Sequence, residues 1–450
     1  MERICNGIYI DNSKMLLIKF DSNGEELFTK GDLDFVNEVK TQIATYKDYN
    51  YVERVLSIMP STATKVEFIL SNKCNMGCIY CYSSANRNTS VLNLKQASAI
   101  IDRLISNTIV KNLKLGKERK IGISFHGGGE PSCEFDLLKD IVEYAKNAAS
   151  KNRTKLYLEI TTNLSQDNDN VLDFYLDNDF FIHISMDGIE HVQNYQRPYA
   201  DGSDSFSKVI RNISYLSKRN ALFSIRMTVT EYSIAHAVDS VKYIKQMFPN
   251  VRFIKLAPLQ ISEESQRNVV KPPQLTEYLK ILEEIDFLLR NENSQYLSVF
   301  GEADTIVNSG MCASVRFEQI IISPEGIITT CHEDPLCENF SYGKISKEGI
   351  IEIDIEKVNT LKKERYENII NGQCSKCAFR LLCMGGCKHR MLAANKNMFC
   401  AIEKYTLTKH IKNVFSDKRI NDIGLARKSA EYSIKGNRGF IEIIYLGDVQ

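Results

Sequence analysis

The chain has 450 residues, of which 43% are hydrophobic and 25% are charged, a length that suits two or three globular domains with large cores. Lysine plus arginine (57) nearly balances aspartate plus glutamate (56), so the overall charge does not point to nucleic acid or an anionic membrane. The start of the chain lacks the apolar core of a secretion signal, and no stretch is apolar enough to span a bilayer. We therefore expect a cytoplasmic protein that binds neither nucleic acid nor a membrane.

Residues 1–62 predict a short N-terminal α+β module. Strand patterns at 7–10 and 15–20 flank a turn, which is typical of a β-hairpin, and an amphipathic helical pattern follows at 35–43. The module is either a cap on the next domain or an element that binds a leader peptide. Its short length favours a cap, whereas an unpaired strand edge near 7–20 would favour peptide binding.

Between 63 and 294, short apolar runs alternate with longer amphipathic runs. Helical patterns separate and follow six strand candidates, which lie at 66–70, 121–125, 156–161, 180–185, 224–229 and 251–256. Repeated βα units of this length predict parallel strands joined by right-handed crossovers. A doubly wound sheet and a partial barrel both fit, and in both folds the reactive groups lie at the carboxyl ends of the strands.

Polar or glycine-rich motifs follow the first four strand candidates. In chain order they contain Cys74, Cys78 and Cys81; Gly127, Gly128, Gly129 and Glu130; Thr161, Thr162 and Asn163; and Ser185 with Asp187. A single glycine-rich loop is usually only a turn, but four loops that converge on one rim predict a shared site.

The three cysteines have the spacing C-x3-C-x2-C. Thiolates are the usual ligands of iron–sulfur clusters and of zinc, and a closed structural site takes four of them. Three ligands leave one metal position open. A zinc site is the alternative, but it needs a fourth ligand that the local sequence does not supply.

This cysteine motif resembles that of the radical S-adenosylmethionine (SAM) superfamily, in which a [4Fe–4S] cluster keeps one iron free to chelate SAM. The resemblance covers about 65–400 and implies that Cys74, Cys78 and Cys81 are the cluster ligands. It also implies SAM contacts from Tyr80, Gly127, Gly128, Gly129, Glu130, Asn163, Ser185 and Arg197. Glycines let the backbone approach a ligand closely, Glu130 suits the amino group of SAM, and the planar fork of Arg197 suits its carboxylate. His126 and Asn163 are alternatively structural turn residues.

Eight of the thirteen cysteines lie between Cys312 and Cys400, a region without the alternating strand and helix patterns of 63–294. Taken alone, this pattern also fits two zinc ribbons. Together with the first motif it resembles the seven-cysteine SPASM domain, which binds two auxiliary [4Fe–4S] clusters. The resemblance implies one cluster on Cys374, Cys377, Cys383 and Cys400, and another on Cys312, Cys331 and Cys387. The fourth iron of the second cluster is either open to a substrate heteroatom or closed by Cys337.

The expected fold is thus α/β: a partial (β/α)6 TIM-like barrel at 63–294, followed by a small cysteine-rich SPASM domain at 295–400. The short α+β module at 1–62 precedes the barrel, and a helix and a strand at 401–450 carry no assigned motif.

The implied function is that of a radical SAM maturase. By resemblance, an electron from the reduced cluster cleaves SAM, and the resulting 5′-deoxyadenosyl radical abstracts hydrogen from the substrate. The preferred substrate is a ribosomally made peptide with a leader sequence, in which a thioether or carbon–carbon crosslink forms, and the electron donor is a flavodoxin or ferredoxin. The alternatives are formylglycine formation by a sulfatase-maturase type of enzyme, a small-molecule dehydrogenase, and a non-catalytic iron–sulfur scaffold.

One position bears on formylglycine formation. Sulfatase maturases resemble one another in carrying an aspartate, the proposed base, directly after the cysteine equivalent to Cys331. Here that position is His332, with Glu333 and Asp334 beyond it. The departure counts against formylglycine formation, and the three residues are our candidates for a catalytic base.

Overall fold

The computed structural model describes residues 1–12, 15–44, 59–60, 63–83, 88–115, 120–290, 316–334, 336–387, 389–390, 395–416, 426–434 and 437–445. The predicted ligand Cys312 lies outside these residues. The strands are β1 (Glu2–Cys5), β2 (Ile8–Asp11), β3 (Leu16–Phe20), β4 (Lys65–Phe68), β5 (Lys120–Phe125), β6 (Lys155–Thr162), β7 (Phe181–Ser185), β8 (Phe223–Val229), β9 (Ile254–Pro258), β10 (Gln319–Ile322), β11 (Ile327–Thr329), β12 (Ser341–Ile345), β13 (Ile351–Ile353), β14 (Ala426–Ile434) and β15 (Asn437–Tyr445).

The α-helices span Ser22–Thr29, Leu33–Ala44, Leu94–Leu115, Phe135–Lys151, Asp169–Asp177, Glu190–Gln196, Phe206–Ser217, Ala237–Met247, Glu263–Arg267, Leu275–Arg290, Ile355–Ile370, Arg380–Cys383 and Lys396–Ser416. Within the described ranges, no helix is both long enough and apolar enough to cross a membrane.

The central sheet contains the six predicted βα strands. Its order is β13-β12-β11-β10-β4-β5-β6-β7-β8-β9, and every neighbouring pair from β4 to β9 is parallel. Because β13 and β9 stand at opposite ends of this order, the sheet is open, which confirms the expected α/β fold. Strand β9 begins three residues later than predicted, since the amide of Val251 instead closes a turn on Phe248 (N–O 3.1 Å).

The cysteine-rich region continues this same sheet. Strand β10 pairs in parallel with β4, with Gln319 opposite Lys65 and Ile322 opposite Phe68. Strands β11 to β13 then add antiparallel neighbours. Although β11 runs antiparallel to β10, the loop that follows it reaches the loops after β4 and β5, because His332 lies beside Glu67 of β4 and Gly127 after β5. The sequence pattern did not predict this placement.

The two ends of the chain meet in a second sheet. Its order is β1-β2-β3-β15-β14 and all its pairs are antiparallel, with Phe20 opposite Ile441 and Leu16 opposite Tyr445. Strand β2 lies between β1 and β3, and β3 lies between β2 and β15. The described part of 7–20 therefore has no unpaired strand edge, and the peptide-docking edge considered above is not found there.

Strand β3 buries both of its faces, as its apolar sequence requires. Leu17 packs in one apolar cluster with Leu382 and Ile411, while Leu16 and Ile18 pack in another on the opposite face. The first cluster joins the N-terminal module to the turns that carry the last cysteines. An ion pair between Arg380 and Glu2 joins the same two regions. The module thus sits against the cysteine-rich region, away from the barrel loops.

Candidate active site

A cavity opens at the carboxyl ends of the barrel strands, where parallel-sheet proteins concentrate their reactive groups. It is lined by the barrel residues that the sequence motifs predicted: Cys74, Cys78, Cys81, Tyr80, Gly127, Gly128, Gly129, Glu130, Asn163, Ser185 and Arg197. The four loops therefore converge as expected. The individual roles of these residues as metal ligands or SAM contacts stay predictions.

The spacing of the thiols bears on which metal group fits them. Over the described ranges, no three cysteine thiols lie within 4.8 Å of one another. A tetrahedral zinc ion with Zn–S bonds of about 2.3 Å would hold its sulfurs about 3.8 Å apart. A [4Fe–4S] cube binds each thiolate to a different iron and spreads the ligands farther. Within these ranges, therefore, no three thiols are arranged around a single zinc ion.

Hydrogen-bond donors surround the cysteine sulfurs. The side-chain amide of Asn163 lies 3.9 Å from Sγ of Cys74, and a guanidinium nitrogen of Arg197 lies 3.9 Å from Sγ of Cys78. Burial raises the pKa of Cys78 to about 12, although Arg197 acts in the opposite direction. The thiolate form needs further positive charge nearby, which iron would supply. Donors of this kind also tune the potential of a cluster.

Asp187 holds the arginine in place. Its Oδ2 lies 3.0 Å from Nε of Arg197 and accepts hydrogen bonds from Gln196 (2.7 Å) and from the hydroxyl of Tyr80. Its Oδ1 accepts from the backbone N–H of Thr228 at 2.8 Å. Asp187 is fully buried, so these bonds compensate the cost of its charge. Asp187 belongs to a motif that the sequence singled out, but only the structure gives it this positioning role.

The glycine-rich loop is tied down by Glu130. Its carboxylate accepts hydrogen bonds from Thr162 Oγ1 (2.7 Å), from the Asn163 backbone N–H (2.7 Å) and from Ser132. Burial raises the pKa of Glu130, and these donors offset only part of that effect. The carboxylate is thus largely occupied by hydrogen bonds within the chain.

Glycine is required at 129 because of a close approach between two loops. A Cβ at Gly129 would lie 1.9 Å from the carbonyl oxygen of Lys73. The glycine-rich loop therefore packs directly on the backbone that leads into Cys74, a contact supported by the hydrogen bond from the Glu130 N–H to Lys73 O at 2.9 Å. The cysteine loop and the glycine loop form one unit.

A second polar cluster borders the cavity. Oε1 of Glu67, on β4, lies 2.8 Å from Nδ1 of His332 and 3.8 Å from Nδ1 of His126. The rings of His126 and His332 are perpendicular, with centroids 4.1 Å apart. Glu67 was not predicted as a site residue, and the one signal for it in the sequence is an acidic residue inside an otherwise apolar strand.

The three candidate bases occupy different surroundings. Glu333 lines the cavity and faces Arg226 at 3.7 Å. Burial alone would raise its pKa, but His332, Arg390 and Arg226 together lower that pKa to about 2. Asp334 is buried and accepts the N–H of Asn339 at 2.9 Å, which gives it a structural role in a turn. His332 and Glu333 are therefore the candidates that lie beside the cavity.

The cysteines near the end of the chain form a group. Burial raises the pKa of Cys374, and the neighbouring Cys377 and Cys400 raise it further. Burial likewise raises the pKa of Cys383 to about 12, with additional effects of Glu403, Cys374 and Cys377. The thiols of the first predicted auxiliary set thus lie near one another. In the second set, Cys331 follows β11, Cys387 follows a glycine turn, and Cys312 is outside the described residues.

Cys337 has a different environment from the other cysteines of this region. Burial raises the pKa of its thiol to about 12, and the carboxylates of Asp334 and Glu325 act in the same direction. Carboxylate neighbours oppose a thiolate.

An open parallel barrel with three clustered cysteines and a glycine-rich loop at its carboxyl rim defines an enzyme that uses SAM and a [4Fe–4S] cluster. Residues 68–244 match the radical SAM superfamily, and the cysteine-rich region is consistent with a SPASM-like domain. This match and the relatives described next support a radical SAM enzyme.

Named relatives and solved structures extend this match. The cysteine-type anaerobic sulfatase-maturating enzyme of Clostridium perfringens is 26% identical over 332 residues, which cover 71% of this chain and 86% of that protein. The structure of native anSMEcpe with bound AdoMet has a TM-score of 0.60 at 20% identity, over 80% of this chain and 98% of the other. Streptococcus suis SuiB bound to precursor peptide SuiA has a TM-score of 0.54 at 17% identity, over 87% and 97%.

Proposed function

We propose that this protein is a maturase that crosslinks a ribosomally made peptide in an oxidation that depends on SAM. The observation that carries the choice of reaction is the histidine after Cys331, where sulfatase maturases resemble one another in having an aspartate. The fold shared with SuiB, which binds precursor peptide SuiA, supports a peptide substrate.

The chain's own residues would bind and orient the reactants. Cys74, Cys78 and Cys81 would hold the [4Fe–4S] cluster, which together with SAM supplies hydrogen-atom abstraction from a substrate C–H bond. Arg197, fixed by Asp187, would direct the free part of its guanidinium toward the carboxylate of SAM. The backbone of the glycine loop would receive the amino group.

The cysteine-rich region would hold two auxiliary clusters. Cys374, Cys377, Cys383 and Cys400 would close one of them, as their mutual proximity supports. Cys312, Cys331 and Cys387 would hold the other and leave one iron open, with Cys337 outside the ligand set. These clusters would take an electron from the product radical or bind a substrate heteroatom. A flavodoxin or ferredoxin would supply electrons to the enzyme.

Formylglycine formation on a protein is the second candidate. The similarity to the cysteine-type sulfatase-maturating enzyme of Clostridium perfringens favours it. In this function Glu333, which lines the cavity, would replace the missing aspartate as the base.

Mass spectrometry of two substrates separates these functions. The anaerobically reconstituted enzyme would be given SAM and a reductant, with either the product of a short open reading frame beside the gene or a cysteine-containing sulfatase peptide. We expect the first peptide to lose a pair of hydrogens per modification, with formation of 5′-deoxyadenosine. Conversion of the sulfatase cysteine to an aldehyde, with the first peptide unchanged, would establish the second function instead.

A further inference from the structure

Glu67, His126 and His332 form the one group of three metal-ligating side chains within 4.8 Å of one another in the part of the chain that the structure describes. They come from three elements: Glu67 from β4, His126 from the residue after β5, and His332 from the loop after β11. None of them is among the cysteine sets assigned to clusters.

The distances within this group suit a single ion. A tetrahedral ion with nitrogen and oxygen ligands at about 2.1 Å would hold those ligands about 3.4 Å apart. The two distances from Oε1 of Glu67, 2.8 Å to His332 and 3.8 Å to His126, lie on either side of that value. Small side-chain rotations would equalise them.

Two atoms of this group are buried without a hydrogen bond of good geometry. Oε1 of Glu67 and Nδ1 of His126 are both buried, and neither makes a hydrogen bond of acceptable geometry within the described residues. Buried polar atoms without a partner are costly, and a cation bound between these two atoms would satisfy both of them.

Neighbouring side chains fix the carboxylate for this role. Oε2 of Glu67 accepts hydrogen bonds from Gln319 on β10 (3.0 Å) and Ser124 on β5 (3.5 Å). These two contacts occupy one oxygen and leave Oε1 for the histidines. Supporting hydrogen bonds of this kind orient the ligands of most metal sites.

We propose that Glu67, His126 and His332 bind one divalent transition-metal ion, separate from the iron–sulfur clusters. Two imidazoles and one carboxylate suit Zn²⁺ or Fe²⁺, and three protein ligands leave at least one open coordination position. His126 also lines the cavity that contains Cys74 and Cys78. A thiolate or carboxylate of a substrate in that cavity would complete the coordination.

Zinc binding to the reconstituted holoenzyme tests the proposal without any turnover. Equilibrium dialysis would measure the affinity and stoichiometry, and X-ray absorption at the zinc edge would identify the ligands. We expect one zinc per chain with a shell of nitrogen and oxygen only, at about 2.0–2.1 Å. Zinc that had entered a cysteine site would instead show sulfur at about 2.3 Å.

Paired variants give the control. Glu67→Gln and His332→Gln should each weaken zinc binding more than about tenfold, since even changes in supporting residues have effects of that size. Glu159→Gln and His183→Gln, on neighbouring strands β6 and β7, should leave it unchanged. Iron content and secondary structure would verify folding, and His126→Gln would replace any variant that fails to fold. A sulfur shell, no binding, or equal binding by the Glu67 variant would overturn the proposal.

Discussion

The barrel rim and the cysteine-rich region both gather cysteines, but they position them by different means. At the rim, buried side chains hold the loops: Glu130 ties the glycine loop to β6, and Asp187 ties Arg197 and Tyr80 to β8. In the later region, Cys383 ends a short helix and Cys387 follows the turn 384–386, whose residues all have positive φ angles, and Cys387 is exposed. Packed side chains therefore hold the first site, whereas we expect the second to depend more on the clusters proposed for it.

The largest expected effect is at the rim. Changing Cys74, Cys78 and Cys81 together to alanine should abolish formation of 5′-deoxyadenosine, because no ligand set would remain for the SAM-binding cluster. Iron should fall from about twelve to about eight per chain, since each [4Fe–4S] cluster holds four. Cys133→Ala, a change at a nearby cysteine outside the predicted set, is the control and should keep both properties. Survival of SAM cleavage in the triple variant would refute the central assignment.

Removal of iron directly tests the difference between the barrel rim and the cysteine-rich region. If metal stabilises the later region, anaerobic chelation should expose the amides of 371–387 to hydrogen exchange while β5 to β8 remain protected. Small regions that depend on metal commonly unfold without it. Hydrogen exchange followed by mass spectrometry measures both segments in one sample. Equal loss of protection in the two segments would show that they do not differ.

A change at Asp187 tests the part of the rim that side chains, rather than metal, hold in place. Asp187→Asn should weaken SAM binding and lower the melting temperature, since breaking a buried charge pair costs about 3–5 kcal/mol. Asp201→Asn, in an exposed turn, should change neither. Calorimetric titration with SAM and thermal unfolding measure the two effects. An unaltered SAM affinity in the Asp187 variant would mean that Arg197 does not need its partner.

The smallest effect is expected at Cys337. Since its thiol lies beside Asp334 and Glu325, Cys337→Ser should keep the full iron content. Cys400→Ser, which changes a predicted ligand, should lose about four irons and serves as the comparison. A matching loss of iron in the Cys337 variant would indicate that this cysteine closes the second auxiliary cluster.

Much of the barrel could be predicted from the sequence. The six βα strands appear within a few residues of their predicted positions, and the cavity contains the predicted residues of the barrel loops. This success has a local cause: the alternation of apolar runs marks strands and helices, and parallel strands bring their carboxyl ends to one rim. Strands β10 to β13 were missed because they are short and lie among turns.

Contacts between residues far apart in the chain could not be predicted from the sequence. The sequence marked 440–445 as a strand but not its pairing with β3, and nothing nearby indicated that Glu67 would meet His126 and His332. Periodicity shows that a strand has an apolar face, but not which element covers it.

The sequence by itself determined the chemistry of this protein, because cysteine spacing and the motifs after each strand are local features. The tertiary structure decided which residues orient that chemistry. Asp187 receives partners from three separate segments, and the Glu67 group draws on three elements far apart in the chain. These contacts depend on how the strands pair and on which faces are buried, and both are properties of the packed chain.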